Sequence, residues 1–272
     1  MKPKALILHA NGINRDWEAA QALAKAGALV EIMHVNQLRL GGRRWDSYQI
    51  LCIPGGFSYA DALGGGKLMA LELNEYFSDE VRAFVESGKP VIGICNGFQA
   101  LVKAGILPGD VTAMNAPGKK SESRKTSPLP ATLTFNEAGR FECRWIYLQP
   151  SSQKCVWTRG LTELIYCPVA HGEGRFLSND PKALPALRRA DQLALVYSLP
   201  DGKPAGEAYP DNPNGSPGDV AGVCNEKGNV LGLMPHAEDH IHEWQHPRHT
   251  RGETGLLGLK LFENGVRYAA GK

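Results

Sequence analysis

The chain has 272 residues, 43% of them hydrophobic and 21% charged, with a formal net charge of +2. That length suits one large α/β unit or two small ones, and the apolar share suffices for a core. The near-neutral balance gives no electrostatic case for nucleic acid, and no apolar run approaches a membrane span or a secretion signal.

Ala5-Leu6-Ile7-Leu8 reads as a first buried strand, Arg15 to Ala26 as a helix capped by Asn14, and Leu29 to Met33 as a second strand. Ile50 to Ile53 is a third strand, stopped by Pro54-Gly55-Gly56. One long helix is expected from Lys67 to Val85. Val91, Ile92 and Ile94 form another buried strand, and after Cys95 the spacing turns helical, with Phe98, Leu101 and Val102 on one face. Alternation of this kind predicts a doubly wound α/β fold around a mostly parallel sheet. Ligands of such sheets bind outside the carboxyl ends of the strands, where Pro54-Gly55-Gly56 and Cys95 both fall.

The middle of the chain reads differently. Leu129 to Phe135 and Phe141 to Leu148 look like strands joined by Asn136-Glu137-Ala138-Gly139, and Leu164 to Ala170 and Leu193 to Leu199 like two more. Val220 to Cys224 and Asn229 to Leu233 suggest a hairpin, so additional antiparallel strands are expected. Leu256 to Tyr268 suggests a final helix. Residues 116–128 are polar and read as a flexible loop, with the basic run Lys119 to Lys125 on its solvated surface. The six cysteines contain no C-x-x-C pair and mostly sit in apolar runs. That favours reduced thiols in a cytoplasmic protein over a disulfide framework or a zinc site.

Chemistry concentrates at Gly93-Ile94-Cys95-Asn96-Gly97-Phe98. Cys95 sits on a sharp strand-to-helix turn, where the glycines two residues either side permit a strained, crowded backbone. The helix start favours thiolate over thiol. The plainer alternative is a buried cysteine after a core strand. A cysteine nucleophile needs a base and an orienter for it, and Met234-Pro235-His236-Ala237-Glu238 supplies both. In an extended segment His236 and Glu238 project to one side, so Glu238 can hold one imidazole nitrogen and leave the other for Cys95. Alone, His-x-Glu is equally a surface pair. Backbone N–H groups at Asn96 and around Gly56 can form an oxyanion hole, although Pro-Gly-Gly in isolation is only a turn.

Other motifs fail. Gly64-Gly65-Gly66-Lys67 lacks the phosphate-loop spacing, with Asp61 where the first glycine belongs and Leu68 in place of Ser/Thr. His171-Gly172-Glu173-Gly174 lacks the third glycine of a dinucleotide fingerprint. His240, His242, His246 and His249 show no metal-ligand spacing and are expected at a surface or an interface.

Taken in order, Pro54-Gly55-Gly56, Gly93-x-Cys95-x-Gly97-x-Gln99 and His236-x-Glu238 resemble class I glutamine amidotransferases. Several stretches are similar to one subfamily, the glutaminase subunits of phosphoribosylformylglycinamidine synthase: Gly55-Gly56-Phe57-Ser58-Tyr59, Phe141-Glu142-Cys143-Arg144-Trp145, His171-Gly172-Glu173-Gly174-Arg175-Phe176 and Asn212-Pro213-Asn214-Gly215-Ser216. The resemblance covers nearly the whole chain and implies a single domain over residues 1–272, of flavodoxin-like, doubly wound architecture. It implies Cys95 as nucleophile, His236 as base, Glu238 as orienter, Gly56 and Asn96 as oxyanion donors, and Gln99, His171 and Arg175 as substrate-binding residues. It implies glutamine as substrate and an ATP-dependent synthetase subunit as partner, with a small third subunit in some members. No cofactor is implied on this chain, because ATP and magnesium belong to the partner. Two residues depart from the pattern: Ala60 stands where glycine is usual, and Ala237 where proline is usual. Three other readings remain open at this point: a partner-independent cysteine hydrolase, a glutaminase serving another synthetase, and a non-catalytic scaffold.

Overall fold

In the computed structural model, residues 1–41, 44–109 and 131–271 are described, so the loop expected at 116–128 lies outside the described residues. Short apolar runs become strands: β1 (Lys4–His9), β2 (Leu29–His34), β3 (Ile50–Ile53) and β4 (Val91–Ile94). Later come β5 (Thr132–Thr134), β6 (Glu142–Pro150), β7 (Ile165–His171), β8 (Arg175–Leu177), β9 (Leu193–Ser198), β10 (Val220–Cys224) and β11 (Val230–Leu233). Nine of them form one sheet in the order β2-β1-β3-β4-β11-β10-β9-β6-β7. The pairings from β2 through β11 are parallel, and those from β11 through β7 are antiparallel. β5 and β8 make a separate antiparallel pair. Interior parallel strands have no wet face. Accordingly β3, β4 and β11 are buried at every residue.

The helices are α1 (Asp16–Lys25), α2 (Val35–Arg39), α3 (Lys67–Glu75), α4 (Ser78–Glu86), α5 (Asn96–Lys103), α6 (Ala183–Arg189) and α7 (Leu259–Ala269). α5 packs against β3, β4 and β11, as well as against α3, while α7 packs against α1 and β3. Close packing of α5 explains both glycines of the elbow. A Cβ on Gly97 would lie 1.9 Å from the Ile53 carbonyl oxygen, and one on Gly93 would lie 2.4 Å from Leu101 Cδ1.

Four sequence expectations change. Asn14 does not cap α1: Arg15 holds the N-cap position without a side-chain bond, and Asp16 and Glu18 in the first turn suit the helix dipole. The single helix from Lys67 to Val85 is two helices. Phe77 breaks it by turning inward against Trp45, with ring centroids 5.3 Å apart, and Ser78-Asp79-Glu80 starts the next helix. The strand expected from Leu129 to Phe135 is, among the described residues, only β5 (Thr132–Thr134), which pairs with β8 in a separate sheet from β6, while Asn136 in the connection bonds to the His171 carbonyl and to Gly174 N. Finally, His240 and His246 are buried rather than on the surface, packed with Trp145 and Tyr166, and His240 Nδ1 donates to the Tyr166 carbonyl at 2.6 Å. No group of three or more His, Cys, Asp or Glu among the described residues is placed to hold a metal ion.

Candidate active site

β4 and β11 are hydrogen-bonded neighbours in parallel register, Ile94 opposite Leu233. Cys95 and the segment 234–238 therefore leave the sheet side by side. Cys95 follows β4 with φ 50° and ψ −105° and immediately precedes α5. That left-handed backbone is costly for a residue with a Cβ. Its amide is fixed to the Leu233 carbonyl at 2.8 Å, and its Sγ lies 3.8 Å from the Ala170 carbonyl oxygen.

His236 Nδ1 lies 2.7 Å from Glu238 Oε1, and the two residues are 2% and 1% exposed. A carboxylate only accepts, so Nδ1–H donates and Nε2 is left for the thiol. Burial opposes protonation of His236, but the Glu238 carboxylate and the Cys95 sulfur, both by charge and by hydrogen bond, raise its proton affinity well above the usual histidine range. The segment is anchored by the bond from His236 N to the Pro168 carbonyl, 2.8 Å. Ala237 is buried in a single 3-10 turn, and a Cβ on Gly258 would lie only 2.1 Å from its carbonyl oxygen.

Gly55 touches the pair directly. A Cβ there would lie 2.8 Å from His236 Cε1 and 3.4 Å from Cys95 Cβ. Gly56, next along, takes φ 133° and bridges to Ile13. Tyr59, Ala60 and Asp61 follow with φ of 54°, 56° and 50°, three consecutive left-handed residues. Ala60 thus occupies a conformation that glycine would adopt without strain.

The Asn96 amide N–H opens the first turn of α5, where helical partners are lacking. Its side chain has a second role that the motif did not reveal. Oδ1 accepts from Ser58 N at 3.2 Å and from the Ser58 hydroxyl at 2.5 Å, while Nδ2 donates to Asp61 Oδ1 at 2.8 Å and to Gln99 Oε1 at 2.9 Å. Asn96 so fastens the strained 58–61 turn to the nucleophile helix. Gln99 is 4% exposed, and its Nε2 donates to the Glu173 carbonyl at 2.7 Å. The Glu173 carboxylate in turn accepts from Gly65 N at 3.1 Å and lies 3.5 Å from Lys103 Nζ. Here Gln99 braces the wall of the site, a role its place in the motif did not suggest.

His171 comes to the pair: it closes β7 one residue beyond the carbonyl that faces Cys95. Burial first, and then the charge of His236, push it down to about 4. Arg175 does not come to the pair. Its guanidinium donates to the Gly215 carbonyl at 2.9 Å and pairs with Glu137 at 2.8 Å, so it ties β8 to a loop instead of facing the sulfur. Phe57, next to Gly56, stacks on Phe141 with centroids 6.4 Å apart, and the two rings are 45% and 50% exposed.

Comparisons with known proteins show the family and the fold. A family model described as a CobB/CobQ-like glutamine amidotransferase domain matches residues 2–269. A Treponema denticola protein named phosphoribosylformylglycinamidine synthase subunit PurQ is 52% identical, with 98% of this chain and 99% of that one covered. A Dehalococcoides mccartyi protein of the same name is 42% identical, with 98% of each covered. Among solved structures, a chain of PurLQS from Thermotoga maritima superposes with a TM-score of 0.72 at 30% identity, covering 98% of this chain and 99% of that one. The glutaminase domain of Trypanosoma brucei CTPS, at 11% identity and a TM-score of 0.54, shares the fold.

Proposed function

The chain belongs to the CobB/CobQ-like glutamine amidotransferase family, and from that premise we propose that it is the glutaminase subunit of phosphoribosylformylglycinamidine synthase. It hydrolyses glutamine to glutamate and ammonia. A synthetase subunit uses that ammonia to convert formylglycinamide ribonucleotide to formylglycinamidine ribonucleotide in purine synthesis. The observation that carries the chemistry is the β4–β11 register, which sets Cys95 beside the His236–Glu238 pair. The likeness to PurQ proteins along the whole chain supports the particular synthase.

In this reading Cys95 Sγ attacks the side-chain amide carbon of glutamine. Charge builds on the carbonyl oxygen, which the Asn96 N–H and the backbone near Gly56 stabilise. His236, held by Glu238, gives its proton to the departing nitrogen, then takes one from water as the glutamyl thioester is hydrolysed. The ATP and magnesium chemistry lies on the synthetase subunit, with a small third subunit completing the assembly, and the complex works in the cytoplasm. Among the described residues no helix is long and apolar enough to cross a membrane, and the six cysteines are free thiols.

The test is Cys95→Ala assembled with the synthetase subunit. Glutamine-driven synthesis should vanish while synthesis driven by ammonium salt persists. Loss of both would leave the chain a structural role and overturn the proposal.

A further inference from the structure

His171 carries an unsatisfied atom whose chemistry is well defined. Asn136 Nδ2 donates to the carbonyls of Arg140 at 2.9 Å and of His171 at 2.7 Å, so Asn136 Oδ1 must be the acceptor. That oxygen takes hydrogen bonds from Gly174 N and from His171 Nδ1, each at 3.0 Å. The proton of a neutral His171 therefore sits on Nδ1, and Nε2 bears a bare lone pair. Nε2 is buried and has no hydrogen-bond partner, in a residue 2% exposed. Gly174 packs closely on the ring, where a Cβ would lie 2.5 Å from Nδ1 and 2.6 Å from Cε1. A buried acceptor left unpaired needs an explanation, and one is a donor that arrives with the substrate.

Resting on the glutaminase reading above, we infer that His171 Nε2 accepts a hydrogen bond from the side-chain amide nitrogen of glutamine and keeps that contact while the nitrogen leaves as ammonia. The carbonyl of Ala170, the residue before His171 on β7, lies 3.8 Å from Cys95 Sγ, and the ring itself is close enough to feel the charge of His236. The charged groups felt by His171 are His236 and Glu142, and Glu142 is itself paired with Arg140 and Arg144. The α-ammonium of glutamine is the other donor that the substrate brings, but it would meet the His236 imidazolium as a like charge. The amide N–H is neutral and meets no such penalty. In the acylation step the S–C bond forms, the C–N bond breaks and the His236 proton goes to the nitrogen, giving NH3. His171 neither gains nor loses a proton. With its own proton affinity held down to about 4 by burial and His236, it remains neutral and cannot convert the product to ammonium. Ammonia stays nucleophilic for the reaction it feeds.

The experiment compares glutamine with glutamic acid γ-methyl ester, whose leaving oxygen carries no hydrogen to donate. Glutamate release is measured on the full chain with its synthetase subunit. His171→Asn keeps a donor for Asn136 and removes the acceptor. It should lower kcat/KM about tenfold on glutamine, the loss of one hydrogen bond, and leave the ester within about twofold. His171→Gln can place an oxygen near the Nε2 position and should recover most of the glutamine rate. Ester turnover also reports that the folded site survives. Parallel loss on both substrates, loss of ester turnover in both variants, an unchanged glutamine rate in His171→Asn, or a shared rise in KM at constant kcat would each overturn the inference. Failure of the unmodified complex to release glutamate from either substrate would instead overturn the glutaminase reading itself.

Discussion

Replacing Gly55 by alanine adds one methyl group and removes no chemical group from the site. The backbone tolerates the change, since Gly55 does not have a left-handed φ. The methyl carbon, however, would lie 2.8 Å from His236 Cε1. Carbon atoms settle at about 3.5 Å or more, so the imidazole or the 54–56 turn must retreat by about 0.7 Å. His236 is tethered by Glu238 at 2.7 Å on one side and Pro168 at 2.8 Å on its backbone, so retreat stretches bonds that align Nε2 with the sulfur. A misplacement near 1 Å costs about a hundredfold in rate, so glutaminase kcat/KM should fall between about tenfold and a hundredfold. Overpacking should also cost about 1–3 kcal/mol, equivalent to about 2–4 °C in Tm per kcal/mol. Gly172→Ala is the control, because its Cβ would meet nothing closer than Phe141 Cδ2 at 3.8 Å. Ammonia release with the synthetase and thermal unfolding of both variants measure the two effects. A Gly55→Ala enzyme within about twofold of the parent would refute the claim that the geometry of this contact governs the reaction.

Further tests address the surroundings. Asn96→Ala removes four hydrogen bonds, leaves Gln99 Oε1 without its donor and leaves Asp61 with only the Gly66 amide, which should cost about 1–3 kcal/mol in urea unfolding. Ala60→Gly relieves a left-handed alanine at the expense of a more flexible unfolded chain, and should raise stability by about 1 kcal/mol; a fall would show that the turn is not strained. His171 governs an acid limb. Between its ordinary 6.5 and its folded value of about 4, the unfolded chain binds a proton that the folded chain refuses. Its contribution is thus complete above pH 6.5 and is lost as pH falls through about 4, a change of about 3 kcal/mol. His171→Gln should therefore show a shallower loss of stability than the parent between pH 7 and pH 4.5. Glu238→Gln removes the carboxylate that favours the His236 imidazolium. His236 is protonated and stabilising below pH 6.5, and that stability fades as pH rises through its elevated folded value. The variant should bring the fading to lower pH, visible as a shift in the imidazole titration by NMR.

Most of the parallel half of the sheet was legible because β1, β3, β4 and β11 are short apolar runs, and burial on both faces writes itself into composition. The elbow was legible for a related reason: Gly93 and Gly97 record collisions with Leu101 and Ile53 as missing side chains. What escaped depends on bonds between distant residues. The Asn96 grip on Ser58 and Asp61, the Gln99 bond to Glu173 and the Asn136 bond to His171 join positions 35 to 74 apart, apart from local ones, and leave no period in the sequence. Strand propensity could not specify the pairing of β5 with β8 either. The Arg175 bonds to Glu137 and to the Gly215 carbonyl, which tie β8 to a loop, are long-range contacts of the same kind. The break at Phe77 carries neither proline nor glycine, and only its burial against Trp45 accounts for it.

Neighbouring strands that carry the nucleophile and its base have an evolutionary consequence. The alignment of Cys95 with His236 is inherited from the β4–β11 ladder, so most of the intervening polypeptide is released from holding the two in line. Insertions, deletions and rewritten sequence in the loops between α5 and β11 can accumulate with modest harm, provided the intervening strands and the Ala170, Pro168 and His171 contacts persist. A lineage could in this way retarget the molecule toward a new recipient of ammonia while conserving its ammonia-generating chemistry.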